Sequence, residues 1–414
     1  MTEHNWAGNL TYSATSVAEP TTRDELAGLV RAASAIRVLG SRHSFNRIAD
    51  TDGLLVSTAA LPAHVDIDAE RRVARVAGGM RYGDVARPLH AEGWALGNLA
   101  SLPHISVAGA IATGTHGSGD RNRSLAGAVA GLEILTADGG IRMLRRSDPG
   151  FAGAVVSLGA LGVVLDVELE IVPAFDVAQT VFERVRWDDV LADLAAVTSL
   201  GYSVSLFTTW RDPDVVDQVW VKARAGDAAA PQHVLGGGAA SAPRHPLPGV
   251  PADSCTEQGG VAGPWLDRLA HFRLEFTPSQ GEELQSEYFV ARDDAPAAIR
   301  ALRPLAARIA PLLLVSEVRT IAADDLWLSG AYGRDTVGLH FTWRRDQAAV
   351  EALLPEIEAA LSPFDPRPHW GKVYTLPAAA IRERYPRWAD AAALRAELDP
   401  RGVFRNTFLR DLGL

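Results

Sequence analysis

Two short stretches of the sequence decide its fold: Gly40-Ser41-Arg42-His43-Ser44-Phe45-Asn46 and Ala112-Thr113-Gly114-Thr115-His116-Gly117-Ser118-Gly119. The first places His43 at the tip of a tight loop, directly after the apolar residues Ile36-Arg37-Val38-Leu39, which predict a strand. The second is a run of small and hydroxyl-bearing residues with one histidine inside it. Small residues let backbone N–H groups approach a phosphate closely, and consecutive turn amides form a concave anion site. Together the two stretches indicate a site for a phosphate-containing cofactor.

The composition is that of an ordinary soluble globular protein. Of the 414 residues, 47% are hydrophobic and 22% are charged, which leaves room for roughly two or three hydrophobic cores. The formal net charge of −10 argues against a nucleic-acid partner, because such proteins normally present a basic face. The single cysteine, Cys255, excludes an internal disulfide and a cysteine metal cluster, and we expect it to be a small buried thiol.

No stretch of the chain is suited to a membrane. The first residues, Met1-Thr2-Glu3-His4-Asn5-Trp6, lack the basic start and apolar run of a signal peptide. The most apolar stretch, residues 152–173, ends in Leu165-Asp166-Val167-Glu168-Leu169-Glu170-Ile171, where a charge at every second residue indicates a half-buried strand. We therefore expect a cytoplasmic protein with no membrane partner, and the scarcity of apolar surface patterns favours a monomer.

The first 175 residues alternate short strands with short helices and tight turns. This pattern predicts an α+β fold whose sheets are mixed or antiparallel. The predicted elements are strands at Ile36–Leu39 and Leu54–Ser57, a hairpin of Val65–Asp68 with Val73–Val76, a helix over Tyr82–Glu92, and a hairpin of Leu132–Leu135 with Ile141–Leu144.

From about Phe175 onward the pattern changes to longer aromatic strands separated by loops. Residues 223–264 are rich in Gly, Ala and Pro and are predicted to be loop-like. A helix is predicted from Asp294, with Pro304 interrupting it. The other predicted elements are strands at Tyr202–Phe207, Val219–Val221, Leu312–Ile321, Val337–Trp343 and His369–Thr375, and helices at Gln347–Ser362 and Asp390–Leu398.

Three familiar kinds of catalytic site are disfavoured. The stretch Val234–Ser241 imitates a glycine-rich dinucleotide motif but lacks its last glycine, and Pro243 and Pro246 discourage the helix that should follow, so a flexible loop is predicted. The eleven histidines form no His-x-x-x-His pattern with an intervening glutamate, which argues against a metal site. No Gly-x-Ser-x-Gly elbow is present for acyl transfer.

Several polar side chains occur on strands that are otherwise apolar. Period-two alternation places Glu317 and Arg319 on one strand face, and Thr342 shares a face with His340. Lys372 is predicted to lie in a strand with few other charges, although lysine is rarely buried without a purpose. Charges on an apolar strand are costly unless they are paired or functional. A structural ion pair and a polar binding site are both compatible with this pattern.

The two opening stretches, in this order, resemble the flavin-binding domain of the vanillyl-alcohol oxidase superfamily. The longer segment 100–117, together with His369-Trp370-Gly371-Lys372 and Glu317-Val318-Arg319, resembles the bacterial alditol oxidases, which share a fold with the aldonolactone oxidases. The similarity extends nearly from end to end and includes Asn5-Trp6-Ala7-Gly8-Asn9 and Cys255-Thr256-Glu257-Gln258.

This resemblance implies an α+β, two-domain flavin oxidase fold. Residues 1–175 would form the FAD-binding domain, 176–375 a mixed α+β substrate domain that roofs the isoalloxazine, and 376–414 a segment returning to the FAD domain. The implied cofactor is FAD, bonded covalently to His43, and no metal is expected. Arg42 departs from the glycine common at its position in the family, which leaves the geometry of that turn open. The implied cofactor-binding residues are Val38, Leu39, Gly40, Ser41, Arg42, His43, Ser44, Ser101, Ser106, Gly109, Thr113, Gly114, Thr115, His116, Val164 and His369.

The implied activity is oxidation of the terminal hydroxyl of an alditol such as xylitol or sorbitol, with O2 as acceptor and release of hydrogen peroxide. The implied substrate-binding residues are Ser101, Glu317, Arg319, Thr342 and Lys372. Of these, Arg319 would stabilise negative charge on the reacting oxygen, Glu317 would orient Arg319, and Lys372 would accept the hydroxyl proton. Water or direct transfer stays open as an alternative to Lys372. The small residue Ala100 would leave O2 a path to the flavin.

Two other functions remain open at this stage. An aldonolactone oxidase would share the flavin tether and the lysine motif but would bind a sugar ring. A catalytically silent flavin- or sugar-binding module would have to explain why five polar positions coincide with a substrate site.

Overall fold

The computed structural model describes residues 3–227, 231, 233–276 and 281–414. Met1 and Thr2, and four positions of the predicted loop at 223–264 (228–230 and 232), lie outside the described residues. Among the described residues, no helix combines the length and apolar character needed to span a bilayer.

The N-terminal part of the described chain consists of short strands and helices in alternation. Its strands are β1 (Ser16–Ala18), β2 (Ile36–Leu39), β3 (Leu54–Ser57), β4 (Val65–Asp68), β5 (Val73–Ala77), β6 (Trp94–Ala95), β7 (Val129–Leu135), β8 (Ile141–Arg145), β9 (Val163–Glu170) and β10 (Val172–Pro173). Its helices are α1 (Arg23–Ala32), α2 (Tyr82–Ala91), α3 (Val107–Ala112) and α4 (Phe151–Val155). Both predicted hairpins and the predicted helix and strands of this part are confirmed.

Two sheets organise this part, and one of them differs from the prediction. The five-stranded sheet, in the order β4-β5-β9-β7-β8, is antiparallel as expected. The three-stranded sheet, in the order β1-β3-β2, is parallel throughout, so the expectation of only mixed or antiparallel sheets was wrong. The reason is that crossovers, not hairpins, join its strands: α1 connects β1 to β2, and the His43 loop connects β2 to β3.

The central part is built on longer strands. These are β11 (Asp176–Arg186), β12 (Ser203–Thr208), β13 (Val215–Arg224), β14 (His233–Val234), β15 (Gly237–Gly238), β16 (Gly263–Pro264), β17 (Glu283–Ala291), β18 (Leu313–Ile321), β19 (Thr336–Arg344) and β20 (Arg367–Pro368). The helices are α5 (Trp187–Ala192), α6 (Leu194–Thr198), α7 (Ala295–Leu302), α8 (Ala306–Ile309) and α9 (Gln347–Leu361). As predicted, Pro304 interrupts a helix, because a short 3-10 turn separates α7 from α8.

Eight of these strands form one antiparallel sheet in the order β16-β11-β13-β12-β18-β19-β17-β20. One face packs against the helices, where Leu339, Phe341 and Trp343 of β19 join the hydrophobic core and the rings of Phe341 and Trp343 stack at 5.0 Å. Because side chains alternate along a strand, His340 and Thr342 point to the opposite face, as predicted. That face is turned toward the N-terminal part of the chain.

Two predicted segments of the central part have a different structure. Residues 369–375 are not a strand: Gly371 O accepts a hydrogen bond from Phe45 N, and the Asn46 side chain donates to the carbonyls of Trp370 and Lys372. These backbone groups therefore bind the His43 loop instead of a neighbouring strand. The described residues 233–238 are not a simple loop but a tight hairpin of β14 and β15.

The C-terminal segment contains α10 (Ala378–Glu383), α11 (Trp388–Leu398) and α12 (Thr407–Leu412). It packs on the N-terminal part: Val403 O accepts from Ile36 N at 2.8 Å, and Phe404 O accepts from the Arg37 guanidinium at 2.9 Å. These contacts tie the segment to β2, next to the His43 loop. The domain boundaries at residues 175 and 375 stay predictions.

Candidate active site

A cavity of about 290 Å³ lies between the loops of the N-terminal part and the open face of the large sheet. Of the predicted cofactor and substrate residues, all except Gly114 line this cavity: Val38, Leu39, Gly40, Ser41, Arg42, His43, Ser44, Ser101, Ser106, Gly109, Thr113, Thr115, His116, Val164, Glu317, Arg319, Thr342, His369 and Lys372. Gly114 instead turns the chain after α3, with a φ of +70° and its N–H donating to Ile111 O. Residues distant in the sequence thus meet at one site.

The His43 loop is held by hydrogen bonds from the N-terminal residues. Trp6 N donates to Arg42 O at 2.9 Å, and the Asn5 side chain donates to Ser44 O at 2.9 Å. Arg42 has a φ of 65°, in the left-handed region that favours glycine, and its guanidinium forms an ion pair with Glu3. The turn at Arg42 therefore keeps the backbone conformation typical of glycine although the residue is arginine.

The His43 ring is available for chemistry. It lies against the Trp6 ring, with 4.7 Å between ring centroids, and its nitrogens make no hydrogen bond to any described residue. Burial lowers the pKa of His43 to about 4, and the charges of His104 and Arg81 act in the same direction. The imidazole therefore stays neutral near pH 7, which is the form that carries a free nitrogen lone pair.

Beside His43, the two opening stretches of the sequence interlock. Ser41 N donates to Ser106 Oγ at 3.3 Å, and Ser106 N donates to Ser41 Oγ at 3.1 Å. A Cβ added to Gly40 would meet Ser106 Oγ at 2.6 Å, and one added to Gly109 would meet the same atom at 2.8 Å. Both glycines therefore leave room for the Ser106 hydroxyl, and in the described structure the N–H groups of Arg42, His43 and Ser44 have no protein acceptor.

The opposite wall is set by strand register. Glu317 on β18 is the cross-strand partner of His340 on β19, which is in turn the partner of Glu287 on β17. Cross-strand partners share one face of a sheet, so these three side chains form a row toward the cavity. Arg319 faces Gly338, where an added Cβ would come within 3.0 Å of Glu287 Oε1. Because Gly338 has no side chain, Arg319 and Glu287 have room to lie next to each other.

Glu287 is the functional residue that the sequence reasoning missed. Its carboxylate is fully buried and contacts Lys372 Nζ at 2.5 Å, Arg319 Nη2 at 3.1 Å and His116 Nε2 at 3.1 Å. Burial alone would raise the pKa of Glu287, but Lys372, His116 and Arg319 outweigh it and hold the pKa well below its ordinary value. Glu287 is thus the anion that balances three donors in the cavity.

A signal for Glu287 was present in the sequence. It immediately precedes the apolar residues Tyr288-Phe289-Val290, so it is a charge on an apolar strand in the same way as Glu317. The strand itself, β17, was not predicted, so Glu287 was not identified as a charge on an apolar strand.

Both ring nitrogens of His116 face acceptors. Nδ1 lies 2.8 Å from Gly117 O, and Nε2 lies 3.1 Å from Glu287 Oε1. The His116 ring is thus positioned by Gly117 and Glu287 while it lines the cavity, and its predicted role at the cofactor stays a prediction.

Arg319 connects the two walls of the cavity. Its Nη1 donates to Ser101 Oγ at 3.3 Å, and its Nε lies 3.4 Å from Glu317 Oε2. Glu317 also accepts from His271 Nε2 at 2.8 Å. Although burial raises the pKa of Glu317, the charges of Arg319 and His271 dominate and lower it. The predicted orientation of Arg319 by Glu317 thus has the contact it requires.

Lys372 extends the network to Thr342. Its Nζ donates to His340 Nδ1 at 2.8 Å, and His340 Nε2 lies 3.0 Å from Thr342 Oγ1. Burial lowers the pKa of Lys372, Glu287 opposes that effect, and Arg319 adds to it, with a net lowering. The direction agrees with the sequence argument, but the opposing contribution of Glu287 was not foreseen.

Comparison with known proteins agrees with this architecture. Residues 14–145 match the family model of the FAD binding domain, and residues 274–412 match that of D-arabinono-1,4-lactone oxidase. Over its whole length the chain is similar to the alditol oxidase of a Streptomyces species, with 52% identity over 411 residues that cover 99% of this chain and 98% of the relative. The chain belongs to the alditol oxidase family.

More distant relatives place this alditol oxidase family member within a wider group. The L-gulono-1,4-lactone dehydrogenase of Mycobacterium tuberculosis is 29% identical, covering 98% of this chain and 97% of the relative. Among solved structures, cholesterol oxidase from B. sterolicum superposes with a TM-score of 0.81 at 14% identity, covering 99% of this chain and 96% of that one. The predicted two-domain flavin oxidase fold is confirmed.

FAD is the cofactor of this alditol oxidase family member, and the described residues fit it. The three unpaired amides beside Gly40 and Gly109 suit a pyrophosphate, because backbone N–H groups there can approach phosphate oxygens without steric hindrance. The cavity then continues past His43 to the charged wall of the sheet. The individual cofactor contacts stay predictions.

Proposed function

We propose that this protein oxidises the terminal hydroxyl of an alditol of the xylitol or sorbitol type to the aldose, with O2 as acceptor and hydrogen peroxide as product. The observation that carries the proposal is the convergence of five polar side chains on one cavity beside the His43 loop: Ser101, Glu317, Arg319, Thr342 and Lys372. A polyol has a hydroxyl on every carbon, so its site must offer many matched polar groups, because unpaired buried ones are costly.

The proposed tether is a covalent bond between a ring nitrogen of His43 and the 8α carbon of the flavin. A neutral imidazole with both nitrogens free of protein partners supports this assignment. The expected result is a yellow protein whose colour stays with the polypeptide after acid precipitation. Complete loss of flavin from fully loaded protein would disprove the bond, while His43→Ala should still bind FAD through the amide contacts.

Substrate hydroxyls would find partners of both kinds on the charged wall. Arg319 can only donate, and Glu317, held ionised, can only accept. The Ser101 and Thr342 hydroxyls can do either. Since Arg319 bridges Ser101 and Glu287, its position is fixed before substrate arrives, which lowers the cost of ordering the site.

FAD, held beside the His43 loop and Ser106, would supply the hydride acceptor for the alcohol carbon and the route of the electrons to O2. As the hydroxyl proton leaves, negative charge grows on the alcohol oxygen, and the fixed guanidinium of Arg319 stabilises it. Lys372 accepts the hydroxyl proton at Nζ, because burial lowers its pKa and makes the neutral amine accessible. Glu287 then balances the charge that Lys372 and Arg319 carry together.

A lactone oxidation is the second candidate, because residues 274–412 match the D-arabinono-1,4-lactone oxidase model and include Glu287, Glu317, Arg319, Thr342 and Lys372. Turnover of xylitol and sorbitol should be compared with that of a sugar lactone, with hydrogen peroxide measured in each case. We expect peroxide release with the polyols at higher kcat/KM than with the lactone. The reverse preference would replace alditol by lactone, and no turnover with either would favour a silent binding module.

A further inference from the structure

This chain has two lysines, and both lie in or near the cavity. Among its 40 basic residues the sequence contains two lysines, Lys222 and Lys372, and all the others are arginines. Lys372 belongs to the charged wall, whereas Lys222 lies on β13, 1% exposed and outside the cavity. Burying an ammonium group is costly unless its donors are satisfied. A lysine retained at such a position, in a chain that otherwise uses arginine, calls for an explanation.

Lys222 uses its three donors on one short segment. Its Nζ lies 2.6 Å from Leu269 O, 2.9 Å from Ala270 O and 3.3 Å from His271 Nδ1. No carboxylate of the described residues is within ion-pairing distance of it. The ammonium group therefore serves to fix the backbone and ring of residues 269–271 and does not form a salt bridge.

The consequence for His271 is a fixed tautomer. An ammonium group can only donate, so Nδ1 must be the accepting nitrogen and Nε2 must carry the hydrogen. That Nε2–H points at Glu317 Oε1, 2.8 Å away. The ring is also enclosed by aromatic edges, with centroids 5.5 Å from Phe207 and 5.2 Å from Trp220. His271 therefore has one orientation and one donor, both directed at Glu317.

The same arrangement occurs a second time in the site. Lys372 Nζ donates to His340 Nδ1, and His340 Nε2 is then directed at Thr342 Oγ1. In both cases a lysine donates to Nδ1 of a histidine and so fixes its tautomer. The Nε2–H of that histidine then points at a predicted substrate-binding side chain. The repetition argues that the Lys222 arrangement serves the site and is not only a way to satisfy a buried segment.

The segment that Lys222 holds, residues 269–272, also positions Ser101 on the opposite side of the cavity. The backbone N–H groups of His271 and Phe272 both donate to Ser101 O, at 3.1 and 3.2 Å. Ser101 in turn bonds to Arg319 through its hydroxyl. Movement of residues 269–272 would displace Ser101 and Glu317 together.

We propose that Lys222 is a positioning residue for polyol binding, which fixes the His271 tautomer and the segment 269–272 so that Glu317 and Ser101 are both held for the substrate. The inference rests on the proposed function, since it assigns what these two side chains bind. It predicts that Lys222 controls substrate affinity more than the rate of hydride transfer.

The protonation of Lys222 gives an independent readout. Burial lowers the pKa of Lys222 to about 7, and Glu317 opposes this effect. The ionisable groups that act on Lys222 are Glu317 from the sheet and His271 and Cys255 from the covering segment, and Arg319 acts on His271. When the Lys222 amine is neutral, its Nζ can accept a hydrogen bond. His271 can then carry its hydrogen on Nδ1 and donate it to Lys222, which leaves Nε2 without a hydrogen to donate to Glu317. Substrate affinity is therefore expected to weaken as the pH rises through this value.

The test is a double-mutant cycle in the flavin-loaded enzyme. Flavin reduction by xylitol is followed by rapid mixing without oxygen, and the concentration dependence gives an apparent Kd and a limiting rate. Lys222→Met should raise the apparent Kd at least about fivefold while the limiting rate changes less than about threefold. In a Glu317→Gln background, the same substitution should raise Kd by a clearly smaller factor than in the parent, because only its effect through Ser101 remains.

His271→Gln supplies the matched control. Its amide places an N–H near the Nε2 position and faces Glu317 whether or not Lys222 is charged. The rise of Kd above about pH 7 should therefore be present in the parent and absent in His271→Gln, a comparison that holds even if Lys222→Met fails to fold. Additive effects in the cycle, or equal pH dependence in the two proteins, would overturn the inference. If xylitol does not reduce the flavin of the parent enzyme, the proposed function itself is overturned.

Discussion

The two walls of the cavity are built in opposite ways. The cofactor wall around His43 and Ser106 consists of small residues, and its contacts are mostly made by backbone groups. The substrate wall consists of long charged side chains, with Glu287 on β17, Arg319 on β18 and Lys372 after β20, and its contacts are ion pairs around Glu287. The first depends on how closely two segments of backbone can approach. The second depends on a balance of buried charges.

This difference determines how each wall responds to change. On the cofactor wall the sensitive quantity is volume, because an extra methyl group has no space beside Ser106. On the substrate wall it is charge, because removing one partner leaves another buried and unpaired. Substitutions that alter only one of these quantities can therefore separate the two walls by experiment.

The largest effect is expected from Lys372→Met, which removes a charge and keeps the side-chain length. If Lys372 accepts the proton, the rate of flavin reduction by a polyol should fall by about 10²–10⁴-fold. Rapid mixing without oxygen isolates this step, and thermal unfolding of the same protein provides the control for stability. A rate within about threefold of the parent would leave Lys372 no chemical role, and Arg319 would then stabilise the alkoxide alone.

Glu287→Gln tests the charge balance directly. Breaking a buried charge cluster from one side typically costs about 3–5 kcal/mol, so the free energy of unfolding in denaturant should fall by that order near pH 7. Because Glu287 raises the pKa of Lys372, its neutralisation should lower that pKa further. The increase of the flavin reduction rate with pH should then move to lower pH. A shift to higher pH would contradict the network described here.

The same carboxylate predicts the acid dependence of stability. The pKa of Glu287 is lowered on folding, so its stabilising contribution is complete above the ordinary glutamate pKa and is lost as the pH falls below it. Below about pH 4, the parent and Glu287→Gln should therefore converge in stability, which denaturant titrations at several pH values would measure.

Gly40→Ala tests the volume of the cofactor wall and should have the smallest effect. The new Cβ would meet Ser106 Oγ at 2.6 Å, and overpacking of this kind costs about 1–3 kcal/mol. We expect a lower FAD content after purification, measured as the ratio of flavin to protein absorbance. Gly28→Ala is the control for a glycine-to-alanine change without a clash, since a Cβ added to Gly28 has nothing within 4 Å and neither glycine has a positive φ. Equal FAD loss in both variants would contradict an effect of the contact with Ser106.

The contrast between the walls also explains what the sequence could predict. The cofactor wall comes from continuous stretches with local signatures, so the His43 loop and the residues near Thr113 could be recognised. Strand alternation was enough to place Glu317 with Arg319 and His340 with Thr342. In contrast, Glu287 and His271 acquire their importance from partners many residues away, such as Lys372 and Glu317. No local pattern records such a contact.

The error at Lys372 has the same origin. Its flanking residues have strand-like composition, and the N–H groups of His369 and Val373 do bind β17, but the carbonyls of residues 370–372 accept from Asn46 and Phe45, so the strand is not continued. Likewise, the parallel arrangement of β1, β2 and β3 follows from the crossovers and not from the residues within each strand. In both segments the local residue preferences favoured a strand, but hydrogen bonds and connections to distant parts of the chain determined the structure that formed.

The bonds between the His43 loop and residues 370–372 fix an order of events during synthesis. The loop leaves the ribosome early, but the carbonyls of Trp370, Gly371 and Lys372 that bind it are made when nine-tenths of the chain is complete. A nascent chain that ends before them has an incomplete loop. The proposed attachment of flavin to His43 should therefore follow translation, and chains truncated before residue 370 should accumulate without bound flavin.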